Sequence, residues 1–296
     1  MAGKGRGFRA FSYVVMSLLT IFAVMPFILL IVSSVTDETT INKFGYSFIP
    51  RDIDFAAYRY LFASGGKILR AYGMTVIVAF FGTVTNLMLT LFMSYLLSKR
   101  DLPGRNFLSF MIFFTMLFSG GMVPSYLIWS QLMHVVDTIW GLIMPNLLLS
   151  AWNVIMMRTY FTTNIPQEIL EAAEMDSCGQ VRMLFKICVP LSKPMISTIT
   201  LFTALAYWND WTNALYYLVR NRDLQTIQAL LNSMQSNVQF LKDYANQSSL
   251  AEFANQLPTL GVRMAIAVVS IVPILVIYPF FQKSFVRGIV IGGVKG

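Results

Sequence analysis

The chain has 296 residues, of which 56% are hydrophobic and only 12% charged, and its net charge is +8. Soluble domains carry about 25% charged residues, so this composition describes an integral membrane protein and sets aside a solvent-facing catalytic domain. The positive balance is not a nucleic-acid signal, because most lysines and arginines sit in short segments beside apolar runs, where they set orientation. The two cysteines, Cys178 and Cys188, imply no disulfide framework, and His134 alone supplies no His/Cys zinc set. No Gly-rich phosphate loop ending in Lys-Ser/Thr is present, so ATP is not held here by that route.

Lys4, Arg6 and Arg9 precede an apolar run over about 11–35. It is too long for a secretory core and lacks a small-residue cleavage site, so it reads as an uncleaved first span kinked at Pro26. Residues 36–70 are polar and punctuated by glycines and Pro50, which predicts an irregular outer loop with one short amphipathic helix near Phe55–Leu61. A second span covers about 72–97, with Asn86 near its centre. Lys99, Arg100 and Arg105 then make a short basic loop, which belongs in the cytoplasm. The third span, about 107–132, is interrupted by Ser119-Gly120-Gly121-Met122-Val123-Pro124, a break tolerated only against protein or a wet cavity. The fourth covers about 139–160 and contains Pro145-Asn146. The fifth covers about 195–218. A polar outer loop follows over about 219–259, then a sixth span over about 261–281 with Pro273 and Pro279. Lys283, Arg287 and Lys295 lie in the tail. The expectation is an all-α, six-span integral membrane protein forming one domain over 1–296, with both termini on the cytoplasmic side.

The fourth and fifth spans are separated by a polar hinge over about 165–190, which carries the charges Glu168, Glu171, Glu174, Asp176, Arg182 and Lys186. Pro166 suits a first helical position. Glu168, Glu171 and Glu174 recur every three residues and are expected on one face, with Ile169, Leu170, Ala173 and Met175 on the other. Ala172 and Ala173 keep the surface flat enough for close approach by another protein. Gly179 permits positive φ and is expected to end this first helix. A second short helix carries Val181, Leu184, Phe185 and Ile187 until Pro190 and Pro194 reset the backbone.

This hinge resembles the Glu-Ala-Ala loop of ABC-transporter inner-membrane permeases, in particular the sugar-importing branch. Glu171-Ala172-Ala173, Asp176, Ile187 and Pro190 fall in register with that pattern. Ser177 stands where the family has Gly, and Val189 where it has Leu; Gly179 lies two residues past the usual turn. The resemblance extends along most of the chain. It implies the type I importer permease fold and a non-catalytic subunit coupled through Glu171, Ala172, Ala173, Asp176, Gly179, Ile187 and Pro190 to an ATPase. It implies a second similar permease, two ATPase subunits that bind the ATP and Mg, an extracytoplasmic solute-binding protein, and a carbohydrate cargo. It implies a multi-pass place in a bacterial plasma membrane with lipid around the spans, and neither a metal nor a nucleic-acid partner is expected.

The densest intramembrane polarity is Tyr207-Trp208-Asn209-Asp210-Trp211-Thr212-Asn213. A carboxylate at the centre of a span costs roughly 2.5–3.5 kcal/mol, so Asp210 needs a partner or water. Trp208 and Trp211 lie three apart and are expected on one side of the helix. Rings beside amides and a carboxylate suit sugars, so Trp208, Asn209, Asp210, Trp211, Asn213 and Asn86 are candidate pathway residues. Two other readings stay open. Asp210 could cap or pair locally at an aromatic belt, or serve as the ion site of a self-sufficient secondary transporter, which would show repeat-related broken helices and more intramembrane charge.

Overall fold

The structure, a computed structural model, describes residues 4–63, 65–247 and 259–292. Among them there are helices and turns but no strand, only an isolated antiparallel bridge between Thr36 and Ile53. The apolar runs become α1 (Lys4–Ser34), α4 (Gly65–Ser98), α5 (Arg105–Leu117) with α6 (Met122–Leu132), α7 (Trp140–Ile143) with α8 (Ala151–Asn164), α11 (Lys193–Asn209) with α12 (Thr212–Tyr217), and α14 (Thr259–Gly292). Between them lie α2 (Glu38–Phe44), α3 (Ala56–Phe62), the hinge helices α9 (Gln167–Met175) and α10 (Gln180–Leu191), and α13 (Ile227–Gln247). Gly7–Ser34 and Gly66–Ser98 are each long and apolar enough to cross a membrane alone.

Several expectations change. The segment 36–70, expected as an outer loop with one helix, holds two; α2 is capped by the Asp37 carboxylate, which accepts from the Thr39 and Thr40 N–H groups, and stopped by Gly45 at φ 76°. Residues 219–259 are not a loop throughout, because α13 occupies 21 of them; 248–258 lie outside the described residues. α4 starts seven residues before the expected Tyr72, and α14 continues beyond residue 281. The third span is two helices meeting at 115°, with Gly121 at φ 88° supplying the turn. The fourth is not one helix either: after Ile143 the chain is irregular through Ser150 before α8 begins.

The chain forms two units, Met1–Ile68 with Leu231–Pro273, and Leu69–Leu230 with Ile274–Gly296. In the first, Leu61, Val262 and Ala265 are fully buried. The Glu38 carboxylate accepts from the Leu260 and Gly261 N–H groups at 2.9–3.1 Å, a favourable place for negative charge at the start of α14. Most of α1 stays exposed, including Phe8, Phe11, Phe22 and Ile31, an apolar surface of the kind that lies against lipid or protein.

The second unit carries both candidate sites and has two apolar cores. One joins Leu91 and Tyr95 of α4 to Met157 and Phe161 of α8, Ala173 of α9, Met183, Leu184 and Cys188 of α10, and Ile199 of α11. The other gathers Val78, Leu142, Ile143, Tyr207, Ala214 and Ala229. Away from both, the Asp137 carboxylate accepts from the Val219, Arg220 and Asn221 N–H groups at 2.8–3.0 Å, while its own N–H donates to Tyr217. Those N–H donors, Asn221 and Arg220 foremost, hold the Asp137 carboxyl below the ordinary carboxylate range.

Candidate functional site

α9 begins one residue after Pro166, which sits at the N-cap with extended backbone. Its packing is set by Ala173, which is buried, and by Leu170, which packs on the same core. Glu168, Glu171, Ala172 and Met175 follow the i, i+3, i+4, i+7 spacing of one helical stripe, and all four are exposed. This differs from the expected two-sided pattern. Met175 is 86% exposed and Ile169 42%, so neither belongs to the packed side. Glu174 does not share the outward face: Lys99 Nζ donates to its Oε1 at 2.8 Å, and Gln180 Nε2 donates to the same oxygen at 3.3 Å. Three residues advance a helix by 300° rather than a full turn, so a row of glutamates at that spacing drifts sideways. Glu171 accepts from Gln167 Nε2 at 2.8 Å.

The helix ends differently from the expectation as well. Gly179 has φ −60° and does not provide the turn. Ser177 does, at φ 54°. Its N–H donates to Glu174 O at 3.0 Å, and the Cys178 N–H reaches back to Ala173 O at 2.9 Å. That pair of bonds is the Schellman arrangement, with the side chain of Cys178 lying on the same core as Ala173. Asp176 is the last residue before this turn. The left-handed conformation therefore falls at position 177, with serine bearing its steric cost.

Past the turn, Pro190 does not break the second hinge helix. Residues Leu184–Cys188 widen into a π-turn, in which the Val189 N–H bonds Leu184 O, five residues back. The wider turn takes up the hydrogen-bond donor that Pro190 lacks and gives its ring room. Ile187 packs on the core and Pro190 is exposed. α10 then meets α11 at 89°, around the fully buried Ser192. The hinge is fastened to α4. Tyr95 Oη donates to Gln180 Oε1 at 2.6 Å, the Tyr95 ring lies edge-on to Phe161, and Lys99 Nζ sits 5.4 Å from the Tyr95 ring centre. Burial works against the Lys99 charge, but the bond to Glu174 and the neighbouring Tyr95 outweigh it and raise its pKa. The Lys99 bond likewise lowers that of Glu174. Burial pushes the Cys188 thiol up to about 11, so it stays protonated and inert.

The polar residues of the fifth span divide at Asp210. Its extended backbone ends α11, and its carboxylate accepts from the Thr212 and Asn213 N–H groups at 3.1 and 3.4 Å, capping α12. The tryptophans therefore part instead of sharing a side. Trp208 is buried, its ring 6.3 Å from that of Tyr72 and its Nε1 without a partner among the described residues, whereas Trp211 is 41% exposed. Asn209 is exposed and accepts from Gln228 at 3.5 Å.

Asn213 and Asn86 serve the break in the fourth span. Four carbonyls freed there have side-chain donors from elsewhere: Tyr207 Oη to Ile143 O at 2.9 Å, Asn213 Nδ2 to Leu142 O at 3.4 Å and to Pro145 O at 2.9 Å, and Asn86 Nδ2 to Leu147 O at 2.8 Å. A buried backbone group left without a partner costs about 1–3 kcal/mol, so these donors are what lets the chain stay open between α7 and α8. Tyr207 and Thr203 have a part here that the sequence reading did not give them: Thr203 Oγ1 donates to Asn86 Oδ1 at 3.3 Å. The Pro145-Asn146 pair marked the break but not its partners.

Apolar helices long enough to cross a membrane, a broken helix pair and a polar hinge packed on their core make this a membrane-embedded domain, and its family makes it a transport permease. Residues 86–291 match the family described as binding-protein-dependent transport system inner membrane component, and the chain belongs to that family. It is 36% identical over 296 residues to the polygalacturonan/rhamnogalacturonan transport system permease protein YtcP of Bacillus subtilis, covering 99% of this chain and all of the relative. It is 34% identical over 273 residues to protein LplC of the same organism, covering 92% and 90% of the two chains. Among solved structures it is similar to a chain of a bacterial ABC transporter involved in the import of the acidic polysaccharide alginate. That likeness has a TM-score of 0.74 and 29% identity, and covers 96% of this chain and 99% of the other.

Proposed function

We propose that this chain is one of two permease subunits of an ATP-driven importer of oligosaccharides derived from polysaccharides, and that α9 is where a cytoplasmic ATPase grips it. The observation that carries the reading is the construction of α9: an exposed stripe of Glu168, Glu171, Ala172 and Met175 on a helix whose opposite side is locked into the core through Leu170 and Ala173. A push on that stripe is passed to α4, α8 and α11, which share the core. Family membership supports the partners, namely a second permease, two ATPase subunits holding ATP and Mg, and an extracytoplasmic binding protein. The names of the relatives support the cargo class.

In this reading α1, α4, α5 with α6, α7 with α8, α11 with α12, and α14 are the six crossings, and both termini and the hinge face the cytoplasm. The basic loop at Lys99, Arg100 and Arg105 supports that orientation. Switching an outward gate from 1:99 to 99:1 needs about 5.5 kcal/mol of differential binding, which closure of a nucleotide-bound ATPase on a rigid contact would supply. The ion-site alternative for Asp210 loses ground because its carboxylate is occupied by two backbone N–H groups. The test is Glu171→Lys, which reverses the charge at the centre of the stripe without touching the core. Insertion into the membrane persists and ATP-dependent uptake is lost; normal uptake by this variant sinks the coupling role.

A further inference from the structure

The import reading needs an aqueous path, yet of the residues expected to line it Trp208 is a buried ring, Asp210 caps α12, and Asn86 and Asn213 are spent on backbone carbonyls. The polar groups open to a ligand lie elsewhere. Beside the break in the fourth span, Asn86, Asn146, Ser150, Asn153, Phe202 and Thr203 line a pocket of about 260 Å³. Its inner wall is hydrogen-bonded within itself. Asn86 Oδ1 accepts from Thr90 and Thr203, both at 3.3 Å, and Asn153 Nδ2 donates to Thr203 at 3.1 Å. Side chains that join helices in a membrane do this, and that accounts for the inner wall completely.

It does not account for the rim. The Asn146 side chain is exposed and has no hydrogen-bond partner among the described residues; Asn153, by contrast, is buried and gives its Nδ2 to Thr203, so it belongs to the inner wall. Asn146 has φ 61°, a conformation that asparagine tolerates and most residues do not, so its amide is presented by a fixed turn. Uncommitted amides in a span cannot face hydrocarbon without a large desolvation cost. No acidic or basic residue lines the pocket, and Phe202, half-exposed, supplies an aromatic face.

We infer that this pocket is a carbohydrate subsite of the chain, in which Asn146 binds the hydroxyls of a single sugar ring, Phe202 covers its C–H face, and Asn153 and Thr203 form the wall behind it. Whole-ligand pockets run to roughly 300–1,000 Å³, so the volume suits one ring of an oligomer passing through. The absence of a cation means that hydroxyls are read here, while any uronate carboxylate points away. The inference rests on the import reading and adds which residues touch the cargo.

The test uses the complete importer in liposomes, with its own second permease, ATPase and binding protein. Oligogalacturonides serve as the acidic probe and arabino-oligosaccharides as the neutral one. Asn146→Gly removes the amide while suiting the left-handed backbone. It raises the uptake KM roughly three- to tenfold, the range for one or two lost neutral hydrogen bonds. Asn146→Asp keeps an acceptor but adds a charge, and it raises the KM for the acidic probe more than for the neutral one. The amount of assembled complex is measured alongside, because a purely structural role lowers that amount and leaves KM alone. Wild-type KM in both variants overturns the subsite and leaves the import reading standing. A wild-type complex that carries neither probe overturns both.

Discussion

Gly82 is the position where the packing account is most exposed to test. It lies on α4 facing the ring of Tyr207, and a Cβ placed there would stand 2.5–2.7 Å from Cζ, Cε1 and Cε2 of that ring. The ring has little freedom to withdraw, because Tyr207 is 1% exposed and its hydroxyl is held by Ile143 O at 2.9 Å. Gly82→Ala therefore has two outcomes. If the ring stays, overpacking costs about 1–3 kcal/mol. If it swings away, the Ile143 carbonyl loses its donor at the helix break, at a cost of about 1–3 kcal/mol. Helix propensity returns only ~1 kcal/mol for replacing Gly with Ala. The net expectation is a loss of up to about 2 kcal/mol against wild type, and of about 1–3 kcal/mol against a Gly→Ala change that gains the same propensity without the clash, measured by thermal unfolding in detergent with tryptophan fluorescence. Gly73→Ala on the same helix is the control, since its added Cβ meets nothing within 4 Å; it is neutral or stabilising. In a Tyr207→Leu background the penalty of Gly82→Ala shrinks, giving a coupling of about 0.5–3 kcal/mol. If Gly82→Ala and Gly73→Ala unfold at the same temperature, the Tyr207 clamp on the broken span is wrong.

Two further outcomes follow from local geometry. Ser177→Gly relieves the left-handed strain at the end of α9 and stabilises the protein by up to about 1 kcal/mol, whereas Ser177→Val costs about 1–2 kcal/mol; unfolding midpoints ranked the other way round contradict the Schellman assignment. The Asp137 clip has a defined pH window. Its carboxyl is held below the ordinary value, so its stabilisation is complete above the unfolded value of about 3.9 and is lost as pH falls through the lower folded value. Unfolding curves of wild type and Asp137→Asn consequently converge only under acid conditions, and a difference that fades between pH 8 and pH 5 counts against the clip.

Elements held by local composition were legible in the sequence. The apolar runs place the helices of the spans, and the Gly120-Gly121 pair places the break between α5 and α6. That the hinge holds two short helices was legible from local spacing, but not which residues face outward or which one makes the turn. Failures came where long-range partners decide. The donors that support residues 142–147 stand 61–71 positions away along the chain, and no local pattern pairs them with carbonyls. Glu174 looked like a third member of an acidic row because Lys99, 75 residues earlier, is not part of that row. Gly179 was the natural turn residue on propensity alone, but the bonds to Ala173 and Glu174 fix the turn at Ser177. α13 is a different kind of miss. Ile227, Leu230, Leu231 and Met234 follow the i, i+3, i+4, i+7 spacing, and the surrounding Gln and Asn hid a helix that was readable.

The account stands on α9 being the part of this chain that a nucleotide-driven partner holds, and a cysteine cross-link reads that contact directly. Ala172 is exposed and Ala173 is buried in the core, so they are a matched pair one residue apart. In cells expressing the whole importer, Ala172→Cys with a bifunctional thiol reagent gives a product containing the ATPase, whose yield changes with nucleotide, and Ala173→Cys gives little or none. No ATPase product from position 172, or labelling of it by an impermeant thiol reagent added outside intact cells, would contradict the account.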